Sequence, residues 1–115
     1  MNPQENKAER KRLTELALDK ANLEIKRFYA LDHGAYEDGA LDARTKEMLG
    51  LVASMVLRCD DCIRYHLERC KKYEVSDEQL QEVFNIALVV GGTIVIPHHR
   101  RAVQYWEDLK ETTTS

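Results

Sequence analysis

Apolar residues in this chain recur at intervals of three and four, and little interrupts that rhythm: 115 residues contain two prolines and five glycines. Such spacing puts side chains on one face of a helix, whereas a half-buried strand needs strict alternation. Runs of β-branched residues are short. These features predict an all-α fold of five or six helices. The length predicts a single domain over residues 1–115.

Taken in order, Asn2 is expected to cap a first helix with Pro3 at its first position. Leu13, Leu16, Ala17, Ala21, Leu23, Ile25, Phe28 and Tyr29 form a helical stripe, in one long helix or two shorter ones divided near residues 19–22. Gly39 closes that region, and Asp42 can cap the next helix. Its expected buried stripe is Met48, Leu49, Val52, Met55 and Val56, ending near Arg58. Asp60 is the expected cap of a helix through Ile63, Leu67 and Cys70 to about Tyr73. Ser76 and Gln79 have capping-box spacing and open a helix carrying Leu80, Val83, Phe84, Ala87 and Leu88. That helix ends at Gly91 and Gly92. A last helix starts within residues 93–97, where Pro97 is tolerable only in the first turn, and runs past Trp106 to Leu109. Residues 110–115 read as a frayed tail. Ile94, Val95 and Ile96, beside Val89 and Val90, are read as buried core in preference to a subunit contact.

A formal net charge of -3 makes nucleic acid and anionic membranes poor partners. The first residues carry no apolar segment of the signal-peptide kind. The longest uncharged run, residues 85–97, is too short to span a bilayer. A cytoplasmic location is expected. In that compartment a lone cysteine pair is more often catalytic or metal-binding than a structural staple.

That pair lies in Arg58-Cys59-Asp60-Asp61-Cys62-Ile63-Arg64-Tyr65-His66, a C-x-x-C-x-x-x-H pattern. On a helix, Cys62 and His66 stand one turn apart on one face. With Asp60 as cap, Cys62 falls in the first turn, where unpaired N–H groups and the helix dipole favour a thiolate. His66, Arg58 and Arg64 push the same way, whereas Asp60 and Asp61 oppose it. The balance turns on whether the aspartates face solvent or the arginines. Glu47 lies twelve residues before Cys59. In an antiparallel hairpin turning near Cys59, Glu47 sits opposite Cys70, about 5 Å and one turn from His66. A Glu47–His66–Cys62 proton relay follows. A straight helix spreads Cys59, Cys62, His66 and Cys70 over about 16 Å, too far for one tetrahedral ion. No metal and no cofactor are expected. Cys70 reads as core, His98 and His99 as first-turn or interface residues, and Tyr65 and Trp106 as packing.

Glu47, eleven residues, then Cys59-x-x-Cys62-x-x-x-His66 resembles alkylhydroperoxidase D, within the wider carboxymuconolactone decarboxylase-like superfamily. Asp38-Gly39-Ala40-Leu41-Asp42, Thr45-Lys46-Glu47 and Gly91-Gly92 before the final helix extend the likeness over residues 28–109. The resemblance implies an all-helical fold assembling as homo-oligomers, trimers or hexamers. It implies a thiol-dependent peroxidase or disulfide oxidoreductase acting on a small hydroperoxide or disulfide, reset by a thiol reductant. Cys62 would be the peroxidatic nucleophile, Cys59 the resolving thiol, and Glu47 and His66 the relay. The chain departs from alkylhydroperoxidase D at Asp61, where that family carries a histidine. The decarboxylase branch generally lacks the C-x-x-C pair. The competing readings are a non-redox acid–base enzyme using His66 and Glu47, and a redox-sensing structural oligomer.

Overall fold

Side-chain caps divide the chain into its helices. In the computed structural model, which describes residues 2–113, Asn2, Asn22, Asp42 and Ser76 accept the backbone N–H of Glu5, Ile25, Thr45 and Gln79 respectively. The Gln79 side chain returns the bond to the Ser76 N–H, completing the capping box. The helices are α1 (Pro3–Lys20), α2 (Leu23–Ala35), α3 (Ala43–Val56), α4 (Asp60–Lys72), α5 (Asp77–Gly91) and α6 (Ile96–Thr113), with a 3₁₀ turn, Thr93–Val95, before α6. No strand occurs among the described residues. The long first stripe is thus two helices, parted at residues 21 and 22.

α3 and α4 form the expected antiparallel hairpin, α5 packs on α3 and α6 on α4, and α1 lies against α6. Leu51, Met55, Ile63, Leu67, Leu80, Phe84, Val95 and Leu109 fill the space between them. α2 packs extensively on no other helix. Leu23, Phe28 and Leu31 on it stay exposed, as do Leu13 and Leu16 on α1.

The structure corrects three expectations. The buried arc of α3 is Glu47, Gly50, Leu51, Ser54 and Met55, while Leu49 is 55% exposed. A carboxylate, a glycine and a hydroxyl occupy three of those five places, so a reading keyed to apolar residues slips off the true face. Of Ile94, Val95 and Ile96, only Val95 is buried; Ile94, Ile96 and Val90 are exposed, and Val89 is 83% exposed. A single 3₁₀ turn joins α5 to α6, so one of three consecutive residues faces inward. A Cβ on Gly91 would come within 2.4 Å of that inward Val95 side chain. Residues 110–113 continue α6 instead of fraying. Asp77 holds this end by accepting from Trp106 Nε1 at 2.8 Å and Lys110 Nζ at 2.9 Å. Residues 114 and 115 lie outside the described chain. Among the described residues no helix is long and apolar enough to cross a membrane.

Phe84 is 1% exposed and meets His99 edge-on, whereas Phe28 is 69% exposed. Urea unfolding of dilute protein is expected to show a loss of about 3–5 kcal/mol for Phe84→Ala. The same measurement on Phe28→Ala should stay within about 0.5 kcal/mol of the parent.

Candidate functional site

The site is built on the turn between α3 and α4. α3 runs out at Leu57, and Arg58 adopts a left-handed backbone with φ of 60°. The Cys59 N–H then reaches back to the Ser54 carbonyl at 3.0 Å and the Arg58 N–H to Met55 at 3.0 Å, closing a tight helix end. α4 therefore begins at once, and its cap is Cys59, not Asp60. The Cys59 Sγ accepts the Cys62 backbone N–H at 3.3 Å, and its carbonyl takes the Ile63 N–H at 2.9 Å. Asp60 is the first residue of the helix, and its carboxylate is drawn away from the capping position by His98 and Arg101 of α6.

This turn brings the two sulfurs into contact, close enough to join as a disulfide; Cys62 is exposed and Cys59 partly so. On the same face of α4, one turn on, the buried His66 ring meets Glu47 of α3: Nδ1 and Oε1 are 2.8 Å apart. Sequence spacing set Glu47 opposite Cys70; the fold lets it reach His66 directly. Glu47 is 1% exposed, and Arg69 Nε donates to its second oxygen at 3.4 Å. With its carboxylate accepting, Nδ1 carries the hydrogen and Nε2 is left as an acceptor.

Gly50 permits this arrangement. A Cβ there would lie 2.7 Å from His66 Cε1, 2.9 Å from Nε2 and 2.8 Å from the Tyr36 hydroxyl. Two tyrosines flank the imidazole, Tyr36 tilted and Tyr65 edge-on, each with ring centroids 5.3 Å from it. Tyr65 does more than the packing expected of it, because it also lines the cavity described next. Tyr36 escapes a sequence reading altogether. It caps the C-terminus of α2, thirty positions from His66, and no local pattern links the two.

A cavity of about 890 Å³ opens between α1, α2 and α4, and Cys62, His66, Tyr36, Tyr65, Tyr29 and Arg10 line it. Arg10 is fixed in a two-pronged pair with Glu68, at 2.7 and 3.0 Å, and Tyr105 donates to the same carboxylate at 2.6 Å. That cluster ties α1 to α4 and α6, so the cavity wall is anchored. Among the described residues, no three His, Cys, Asp or Glu side chains gather where they could hold a metal ion.

The electrostatics do not follow the helix-dipole expectation. Partial burial of its sulfur pushes the Cys62 thiol up to about 11, helped by the Cys59 sulfur and by Asp61 and Asp32. Asp61 is turned to Arg64 at 2.5 Å and Asp60 to His98 and Arg101, yet the shift of Cys62 is still upward. Burial drives Cys70 to about 12, in keeping with its place in the core.

Gly50→Ala is expected to displace the imidazole. Its cost should be about 1–3 kcal/mol by denaturant unfolding, with shifted His66 ring resonances. Gly34→Ala is the control. It adds a methyl into open space at a helical position and should be neutral or stabilising by up to about 1 kcal/mol.

Comparison with known proteins places this geometry in a family. A protein of Thermotoga maritima, seen in two crystal structures, is 53% identical to the chain. One structure superposes with a TM-score of 0.94 over 96% of this chain and 97% of that one. The second, with a TM-score of 0.89 over 93% and 92%, is described as a carboxymuconolactone decarboxylase family protein for which a part in antioxidative response has been suggested. A carboxymuconolactone decarboxylase family protein of Legionella pneumophila, solved in its apo form, is 26% identical. It superposes with a TM-score of 0.78 over 90% of this chain and 91% of its own. An uncharacterized protein of Cupriavidus necator is 29% identical over 82 residues, which is 71% of this chain and 73% of that one. Residues 25–105 match the sequence profile of the carboxymuconolactone decarboxylase family, and the chain belongs to that family.

Proposed function

We propose that the chain is a thiol-dependent peroxidase or disulfide oxidoreductase of the alkylhydroperoxidase D type, working through Cys59 and Cys62 with Glu47 and His66 as proton relay. One observation carries this reading: the Cys59 and Cys62 sulfurs meet, close enough to join as a disulfide, beside a cavity onto which both Cys62 and His66 open. The antioxidative role suggested for the Thermotoga maritima protein agrees with it.

In this reading His66 Nε2 takes the Cys62 proton as the substrate arrives, since a thiol held up to about 11 supplies little thiolate by itself. The sulfur attacks one peroxide oxygen; the S–O bond forms and the O–O bond breaks. The departing alkoxide takes the proton back from His66. Cys62, now a sulfenic acid, is attacked by the Cys59 sulfur, which forms the disulfide and releases water. A dithiol reductant returns two electrons and two protons. Glu47 holds the Nδ1–H and stabilises the imidazolium between these transfers. Such a cycle suits a reducing compartment, and we assign the protein to the cytoplasm on that ground.

Hydroperoxide consumption with a dithiol donor tests the assignment. Cys62→Ser should abolish turnover. Cys59→Ser should leave a sulfenic acid that dimedone captures, and Glu47→Gln should slow turnover by about 10²-fold or more. Full turnover in Cys62→Ser would refute the redox reading. Activity on some other substrate that survives loss of both cysteines would instead favour acid–base chemistry, because the Glu47–His66 pair is complete without them.

We also infer that copies of the chain assemble, as trimers or hexamers, through apolar surface the monomer leaves bare. α2 presents Phe28 and Leu31 as a ridge, and Leu49, Val52, Ile86 and Val90 line a groove between α3 and α5 that suits such a ridge from a second copy. Sedimentation should report an oligomer for the parent and a monomer for Leu31→Asp. A monomeric parent would end this proposal.

A further inference from the structure

Asp60 stands between the two cysteines in sequence and sits where two helices begin. It is the first residue of α4, and its carboxylate reaches the first two turns of α6. There Oδ1 lies 2.8 Å from His98 Nδ1, and Oδ2 accepts from Arg101 Nε at 3.1 Å. Bonded to a carboxylate, His98 Nδ1 carries its hydrogen. Arg101 Nη2, 3.2 Å from that same nitrogen, therefore contributes charge there and not a second bond. The N-terminal dipoles of both helices add to the attraction. Burial works to raise the Asp60 carboxyl, and His98 and Arg101 more than offset it, holding it below the usual range.

The geometry sorts the helix into two sides. Cys62 and His66 look towards the cavity, and Asp60 looks towards α6. The charged and titratable groups around the thiols are Asp61 and Arg64 on α4, Glu9 and Arg10 on α1, Tyr29 and Asp32 on α2 with Tyr36 at its end, Tyr65, and the Glu47–His66–Arg69 cluster behind. Two of these, Asp61 and Asp32, already oppose charge on Cys62. A third free carboxylate beside Cys59 would add to them.

We propose that His98 and Arg101 are positioning residues of the thiol site, acting through Asp60. They lock the first turn of α4 onto α6: His98 holds, and Arg101 neutralises, a carboxylate that would otherwise oppose charge on the adjacent sulfurs. This role rests on the thiol reading given above and extends the site to a helix that contributes no residue to the relay.

The test is the pH profile of Cys62 alkylation by iodoacetamide, mapped by mass spectrometry on the full chain carrying Cys59→Ser, so that one site thiol reports. Arg101→Gln should move the midpoint up by about half a pH unit, the scale of one partly screened charge about a helical turn away. Asp60→Asn, which keeps the shape and removes the charge, should move it down by a similar amount. The double variant should return near the parent, and Arg101→Lys should restore most of the parental profile. A merely structural clamp would move Arg101→Gln and Asp60→Asn in the same direction; that result, or no movement in either, overturns the proposal. Should Arg101→Gln fail to fold, Asp60→Asn alone still decides, since a midpoint that rises or stays in place overturns the proposal. Alkylation needs no peroxide, so a chain that turns over no hydroperoxide still gives this reading. An active peroxidase with unmoved profiles would reject the clamp alone.

Discussion

A carboxylate buried between two helices needs partners, and the contact of Glu47 with His66 organises everything around it. Leaving Glu47 at 1% exposure without a bond would cost several kcal/mol. His66 at 2.8 Å and Arg69 at 3.4 Å satisfy its two oxygens. Those bonds cross from α3 to α4 and fix the register of the hairpin. The left-handed Arg58 makes the turn short enough, and Gly50 lets the α3 backbone approach the imidazole. The same contact sets the tautomer, leaving Nε2 available on a helix face shared with Cys62. The packing of the hairpin and the orientation of the imidazole therefore depend on one pair.

Much of this was legible in the residues. Asn2, Asp42 and the Ser76–Gln79 box announce their helix starts through local side-chain bonds, which sequence spacing records directly. The hairpin turn near Cys59 and the nearness of Glu47 to His66 follow from counting residues away from that turn. What escaped is non-local or chemically disguised. The buried face of α3 is interrupted by Glu47, Gly50 and Ser54, so apolar patterning points one residue astray. Cys59 caps α4 with a sulfur, a weaker acceptor than the carboxylate next to it, because α6 claims that carboxylate. Tyr36 reaches the imidazole from a helix end with no sequence signature. The exposed apolar residues of α2 and around Val89 look like core in a sequence because they are apolar; only the fold reveals them as surface.

The position of Cys62 in the first turn does not by itself activate it. Partial burial, the neighbouring sulfur and two carboxylates push the thiol up to about 11. This gives the histidine a defined task. Family membership fixes the scaffold, and in the proposed cycle the Glu47–His66 pair is the base that such a thiol needs. The arginines beside the site are occupied by carboxylates, Arg64 by Asp61 and Arg101 by Asp60, which makes the surroundings of the sulfurs less positive than the raw sequence suggests.

The most direct measurement is the ¹⁵N spectrum of the His66 ring in the parent chain and in Glu47→Gln. In the neutral ring of the parent, Nδ1 is expected to carry the hydrogen and Nε2 to be free, and Glu47→Gln is expected to disturb this tautomer. A hydrogen resident on Nε2, or a ring indifferent to the loss of the Glu47 charge, would contradict it, because the imidazole would then have no nitrogen free to accept the Cys62 proton.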